Sequence, residues 1–80
     1  MPHVIVKLLP GRGEQQKSQL AAAIAMDLVT IANATDESVS VAIEEVAADD
    51  WDAKVYQPEI RPNRDKLYKK PGYDRPKGRT

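Results

Sequence analysis

Three stretches of the chain place apolar residues at strand or helix spacing. In "HVIVKLL", residues 3–9, the side chains are mostly β-branched and apolar, with Val4, Val6 and Leu8 on one face and Ile5, Lys7 and Leu9 on the other. Neither face is cleanly polar, which is the pattern of a strand covered on both sides. "PGRG" then ends the strand with three turn formers in four residues. From Glu14, "EQQKSQLAAAIAMDLVTIANA" holds good helix formers and no Gly or Pro. Leu20, Ile24, Leu28 and Ile31 recur at four- and three-residue intervals, predicting a helix with one apolar stripe that ends near Asn33. Glu14 opens it, where the helix dipole favours an acid. After the polar "ATDES", the segment "SVSVAIEEV" alternates: Val39, Val41 and Ile43 point one way, Ser40, Ala42 and Glu44 the other.

Strand, helix, strand with a helix-length connection implies a right-handed parallel βαβ unit. Its one helix covers one sheet face. A two-stranded parallel sheet with the other face naked is not a stable monomer, so oligomerisation is expected to complete it. The last third changes character, with four of the six prolines and all four aromatic residues. "DDWDAKVY" reads as a short helix capped by an aspartate and "NRDKLYKK" as another, ended by "PG". Beyond Tyr73, "DRPKGRT" has no apolar anchor and is expected to fray, from residue 74 to residue 80. The expected fold class is therefore α/β (α+β), in a single domain over residues 1–80.

Composition narrows the function. Eighty residues sit near the lower limit for one adequate core. There is no cysteine and one histidine, so neither a disulfide framework nor a thiolate or His-rich metal site is available. No apolar run is long enough to span a bilayer and no signal-peptide pattern opens the chain, so a cytoplasmic protein is expected, without membrane partners. Residues 1–50 carry three bases against eight acids, net −5, and residues 51–80 carry nine against four, net +5. A basic tail sometimes marks a nucleic-acid contact. Here the acidic body matches it, and no nucleic-acid partner is expected.

The candidate chemistry lies at the first two residues. Proline gives no amide hydrogen to a sheet and belongs at the first position of a strand or on an edge. Pro2 is thus either a strand leader or, once Met1 is trimmed, a terminal secondary amine, a base that titrates not far from neutrality. Taken singly, Arg12 in "PGRG" reads as a solvated loop charge, Trp51 as a core or interface aromatic, His3 and Ser40 as strand-surface residues.

Taken together, "MPHVIVKLLPGRGEQQK", the helix, "SVSVAIEEV" and a tryptophan resemble the 4-oxalocrotonate tautomerase family, and "LYKKPGY" resembles the C-terminus of its slightly longer bacterial members. The resemblance covers roughly residues 1–73. It implies a βαβ fold, dimers or hexamers, no cofactor or metal, and the amino-terminal proline as catalytic base. By the same resemblance Pro2 is the catalytic residue, Arg12 binds a substrate carboxylate and Trp51 forms an apolar wall. Ser40 falls where the prototype has a second arginine that polarises the substrate oxygen. That departure turns the expectation from a dienedioate toward a smaller 2-keto or 2-hydroxy-enoic acid.

Ketonising an enol moves a proton from oxygen to carbon and needs a base that is neutral near pH 7. Burial beside Trp51 and repulsion from Arg12 would both disfavour the Pro2 cation. Arg12 would orient the carboxylate by a bidentate pair of hydrogen bonds. Ser40, His3 and a backbone amide are the candidate donors to the enolate oxygen. The expected activity is a cofactor-independent enol–keto tautomerase, an isomerase, in a homo-oligomer, dimer before hexamer. The alternatives are a hydratase or dehalogenase using an extra carboxylate (Glu44 or Glu45) and a non-catalytic binding protein of the same fold.

Overall fold

The computed structural model describes residues 1–74. Strand β1, His3–Leu8, and strand β2, Ser40–Glu45, pair in parallel as a two-stranded sheet. The register sets His3 beside Ser40, Val4 beside Val41, Ile5 beside Ala42, Val6 beside Ile43 and Lys7 beside Glu44. Because side chains alternate across a strand, Val4, Val41, Val6 and Ile43 share one face, while His3, Ser40, Ile5, Ala42, Lys7 and Glu44 share the other. The parallel βαβ unit is the one expected.

Helix α1, Glu14–Ala32, connects the strands. At its start the Gln16 carboxamide oxygen accepts from the Gly13 N–H at 3.1 Å, satisfying one of the orphan donors of the first turn. At its end Asn33 takes a left-handed conformation (φ 62°) and the Ala34 N–H reaches back to the Leu28 carbonyl at 3.1 Å, which stops the helix as "NA" in the sequence suggests. Gly11, at φ 129°, turns the chain between β1 and α1 in a conformation that residues with a Cβ rarely adopt.

The apolar stripe is displaced from the expected one. Lys17, Ala21, Ile24, Ala25, Leu28 and Val29 are half-buried, whereas Leu20 is 37% and Ile31 77% exposed. At 100° per residue the covered face is turned by about 60° toward the alanines. Small Ala21 and Ala25 lie on the covered face, and the longer Leu20 and Ile31 are left at its margin. Lys17 closes one edge of this layer. Its ammonium donates to Glu45 at 2.9 Å and pairs with Glu14 at 3.0 Å, so its pKa is raised, first by the Glu45 bond and then by the Glu14 bond.

The chain divides into two compact units, Met1–Ala47 and the part from Ala48 onward. The second unit opens with one α-turn, α2, Ala48–Trp51. Asp49 and Asp50 lie inside that turn rather than at its cap, because the helix begins before them; there they still face the positive end of the helix dipole. The segment Asp52–Ile60 continues as a π-helix. Pro58 lies inside it, and a proline ring in an α-helix collides with the carbonyl four residues back, a clash that the wider turn relieves. The Gln57 amide donates to Asp52 at 3.2 Å and the Arg61 N–H to the Tyr56 carbonyl, both five residues apart, as that turn requires. A 3-10 segment, Arg61–Lys66, follows, with Pro62 in its first turn. The second expected helix thus begins earlier than "NRDKLYKK" and stops at Lys66, where Leu67 is already extended. Val55, 5% exposed, is the buried hydrophobic side chain among the described residues.

Asp74, the first residue of the expected tail, is ion-paired with Arg64, its carboxylate 3% exposed. The remainder of the expected tail, residues 75–80, lies outside the described residues. Among the described residues no helix is long and apolar enough to cross a membrane.

Candidate active site

Pro2 sits immediately before β1 and needs no amide hydrogen there. Its carbonyl accepts the Ser40 N–H at 3.2 Å, which ties the head of the chain to the start of β2. Pro2 is half-buried and Met1 fully exposed. The two border an open groove of about 650 Å³ whose opposite side is Ala32, Asn33, Thr35 and Ser38. The left-handed turn at Asn33 builds that side, and the Ser38 hydroxyl holds it by donating to the Thr35 carbonyl at 2.8 Å. While Met1 is attached, the Pro2 nitrogen is a tertiary amide with no basicity. Removal of Met1 turns the same atom into a secondary amine at the mouth of the groove.

His3 and Ser40 stand side by side on the sheet face away from α1. Their Nδ1 and Oγ atoms share a hydrogen bond of 2.6 Å, whose direction is set by the imidazole tautomer. The sequence offered both as donors one by one; the register makes them a pair.

Arg12 is exposed in the turn after β1, and its Nη1 donates to the Leu9 carbonyl at 3.2 Å. Residues 2 and 9 are separated by the length of β1, about 23 Å at the rise of a strand. One chain therefore brings Pro2, His3 and Ser40 together and leaves Arg12 at the opposite end of the sheet. Glu44 and Glu45 lie at that opposite end too, beside Lys7 and Leu8.

In the second unit, Trp51, Asp52, Tyr56 and Tyr73 line a cleft of about 260 Å³. The Trp51 indole N–H donates to the Tyr73 hydroxyl at 3.0 Å, and the rings of Tyr73 and Tyr56 lie 6.0 Å apart, tilted by 54°. Asp74 secures this arrangement. Arg64 donates from Nε and Nη2 to its two carboxylate oxygens at 2.7 and 2.9 Å, and the Tyr56 hydroxyl donates at 2.7 Å. Those bonds, Arg64 first and Tyr56 second, hold the Asp74 pKa down to about 2, and the bond to Asp74 raises that of Arg64 above its ordinary value. Sequence reasoning missed Arg64, Tyr56 and Asp74. The signal available was the "PG" at 71–72, a turn able to bring the lone acid of the tail back onto the helical segment.

A carboxylate whose pKa is lower in the folded than in the unfolded chain contributes its stability above the unfolded value, and the contribution is lost as the pH falls through the folded one. The Asp74 clamp is therefore expected to hold above about pH 4, where an unfolded aspartate is ionised, and to release as the pH drops toward 2. An acid titration of fluorescence reads this from Trp51, the single tryptophan. An Asp74→Asn chain should give its released signal already at neutral pH. Matching titrations for the two chains would show that Asp74 is not the group responsible.

The family described as tautomerase enzyme matches residues 2–55, beginning at the proline. A tautomerase PptA from Enterobacter sp. (strain 638) is 47% identical over 74 residues, which cover 91% of this chain and 97% of that protein. A probable tautomerase from Xylella fastidiosa (strain 9a5c) is 40% identical over 73 residues, covering 91% and 89%. Among solved structures, YwhB, a homologue of 4-oxalocrotonate tautomerase, superposes with a TM-score of 0.58 at 35% identity over 60% of this chain and 79% of its own. TomN, a 4-oxalocrotonate tautomerase homologue in the tomaymycin biosynthetic pathway, gives 0.60 at 30% identity over 62% and 77%. In fold, in sequence and in the span of the match, the chain belongs to the tautomerase family of isomerase enzymes.

Proposed function

We propose that the chain, once Met1 is removed, is an enol–keto tautomerase of small 2-keto and 2-hydroxy-enoic acids, with the Pro2 amine as general base. The observation that carries this is the seat of Pro2: a nitrogen at the head of β1, bordering an open groove, in a chain whose family match begins at that residue. The amine takes the proton from the enol hydroxyl of the substrate and returns a proton to the neighbouring carbon, leaving the 2-keto acid and the free amine. No electrons are exchanged, so no cofactor is needed. Arg12 binds the carboxylate, Trp51 supplies the apolar wall, and the His3–Ser40 pair donates a hydrogen bond to the oxygen as enolate charge develops.

In this reading the carboxylate on Pro2 is held by Arg12 of a neighbouring copy, since the two residues of one chain stand at opposite ends of β1. The same separation holds for Glu44 and Glu45, so a hydratase or dehalogenase would also have to take its carboxylate from a neighbouring copy. The open sheet face, with Ile5 48% exposed, and the sparse interior of one chain favour the same conclusion, a homo-oligomer, dimer before hexamer. The reaction is tested by following ketonisation of the enol of phenylpyruvate: the processed protein should accelerate it, and a rate equal to that in buffer overturns the proposal. Light scattering on the same sample should show at least a dimer at micromolar concentration. A fully active monomer would leave Arg12 without a role.

A further inference from the structure

Tyr73 makes an interaction that its packing does not explain. Its side chain is among the exposed large apolar ones, at 53%, so burial contributes little to keeping it in place. Its hydroxyl nevertheless accepts the indole N–H of Trp51 at 3.0 Å, across 22 residues of sequence. The residue that follows it is fastened far more firmly. The Asp74 carboxylate, 3% exposed, receives two bonds from Arg64 and one from Tyr56, and the residue's N–H closes a turn onto the Pro71 carbonyl at 3.1 Å. A strongly anchored carboxylate thus fixes the backbone of the 71–74 turn, and the preceding side chain extends along the cleft to meet the indole edge.

We propose that Tyr73 is a positioning residue for the tautomerase site: its hydroxyl fixes the plane of the Trp51 indole, and the Asp74 clamp with Arg64 and Tyr56 fixes Tyr73. This rests on the reading of Trp51 as the apolar wall of the substrate. A tryptophan ring on a helical turn has alternative rotamers, and a wall that samples several presents the right surface for part of the time. A hydrogen bond at the ring edge selects one rotamer without covering the ring face that the substrate would meet. Acting only through the Trp51 ring, Tyr73 affects substrate binding and leaves proton transfer alone.

The test uses the full processed chain and four variants: Trp51→Ala, Trp51→Phe, Tyr73→Phe and the double variant Trp51→Phe/Tyr73→Phe. Loss of a single neutral hydrogen bond predicts that Tyr73→Phe raises KM for the enol about three- to tenfold. kcat and the pH at which the rate rises should stay as in the parent, because the base is unaltered. Acrylamide should quench Trp51 fluorescence more readily in Tyr73→Phe. In a Trp51→Phe background the N–H donor is already gone, so the second substitution should add nothing. Additive effects of the two substitutions would overturn the proposal, as would an unchanged KM with unchanged quenching in Tyr73→Phe. Failure of the wall reading itself has a different signature. Trp51→Ala would then leave KM unchanged, whereas a raised KM in Trp51→Ala beside a normal one in Tyr73→Phe defeats the positioning role alone.

Discussion

A chain that keeps Met1 should have no tautomerase activity above background, and a chain trimmed to Pro2 should be fully active. The difference is one peptide bond. An amide nitrogen shares its lone pair with the carbonyl and takes no proton near neutrality, whereas an α-amino group titrates at about 8. General base catalysis by a positioned group is worth roughly a hundred- to ten-thousandfold, and retaining Met1 removes all of it. The rate of the trimmed chain should rise with pH, since the base works in its neutral form, and level off above the pKa of the amine. Desolvation in the site and a like charge on Arg12 would both move that pKa downward. Pro2→Ala separates the amine from the ring. Alanine also permits removal of Met1, so a primary amine stands at the same place, slower but not dead. Intact mass spectrometry assigns each sample to its form before the assay. Equal rates for trimmed and untrimmed protein would take Pro2 out of the mechanism.

The parts of the fold that were legible in the sequence are those set by period. Strict alternation in "SVSVAIEEV" and the β-branched run after His3 gave both strands and their facing, and the register between them follows that facing. The helix was legible by composition, but its buried face was not. Counting large apolar residues puts Leu20 and Ile31 in the stripe, while the half-buried face is the one that carries Ala21 and Ala25. Hydrophobicity scales rank the leucine first and so do not find that face. In the second unit local spacing failed because proline, not periodicity, sets the geometry: Pro58 is housed in a π-turn that no three- or four-residue repeat announces. Asp74 was read as tail because no apolar residue follows it. Its anchor is electrostatic, formed with an arginine ten residues away and a tyrosine eighteen residues away.

The candidate site divides in the same way. Pro2 and Arg12 were visible as types at family spacing, but nearness in sequence is not nearness in space: the strand read between them sets them at opposite ends of the sheet. The pairing of His3 with Ser40 was invisible for the opposite reason, since 37 residues separate two side chains that the register places together. Whether a residue belongs to a site depends on which strand end it occupies and on which copy contributes it.

Arg12→Ala should lower kcat/KM about ten- to a hundredfold, chiefly through KM, because an orienting hydrogen bond to a charged group is worth roughly 1.5–3 kcal/mol. The chain should stay folded. Arg12 is exposed, and its bond to the Leu9 carbonyl lies in a turn that Gly11 already shapes. Since the arginine acts from a neighbouring copy in this reading, mixing should restore activity. In assemblies formed from Arg12→Ala and Met1-retaining chains, each inactive or impaired for its own reason, a wild-type Arg12 meets a free Pro2 wherever the two kinds adjoin. Ser40→Arg extends the same experiment. Position 40 is exposed on the face opposite α1, so an arginine has room there, although it forfeits the bond to His3. It should raise kcat/KM for a dicarboxylate such as 2-hydroxymuconate relative to a monocarboxylate, by supplying a second cationic donor that the shorter acid cannot use. If Ser40→Arg leaves that preference unchanged in a folded oligomer, Ser40 does not face the substrate. If Arg12→Ala leaves KM unchanged, or if mixing restores nothing although the chains exchange, the carboxylate is held by some other group and Arg12 is no more than a solvated charge in the turn.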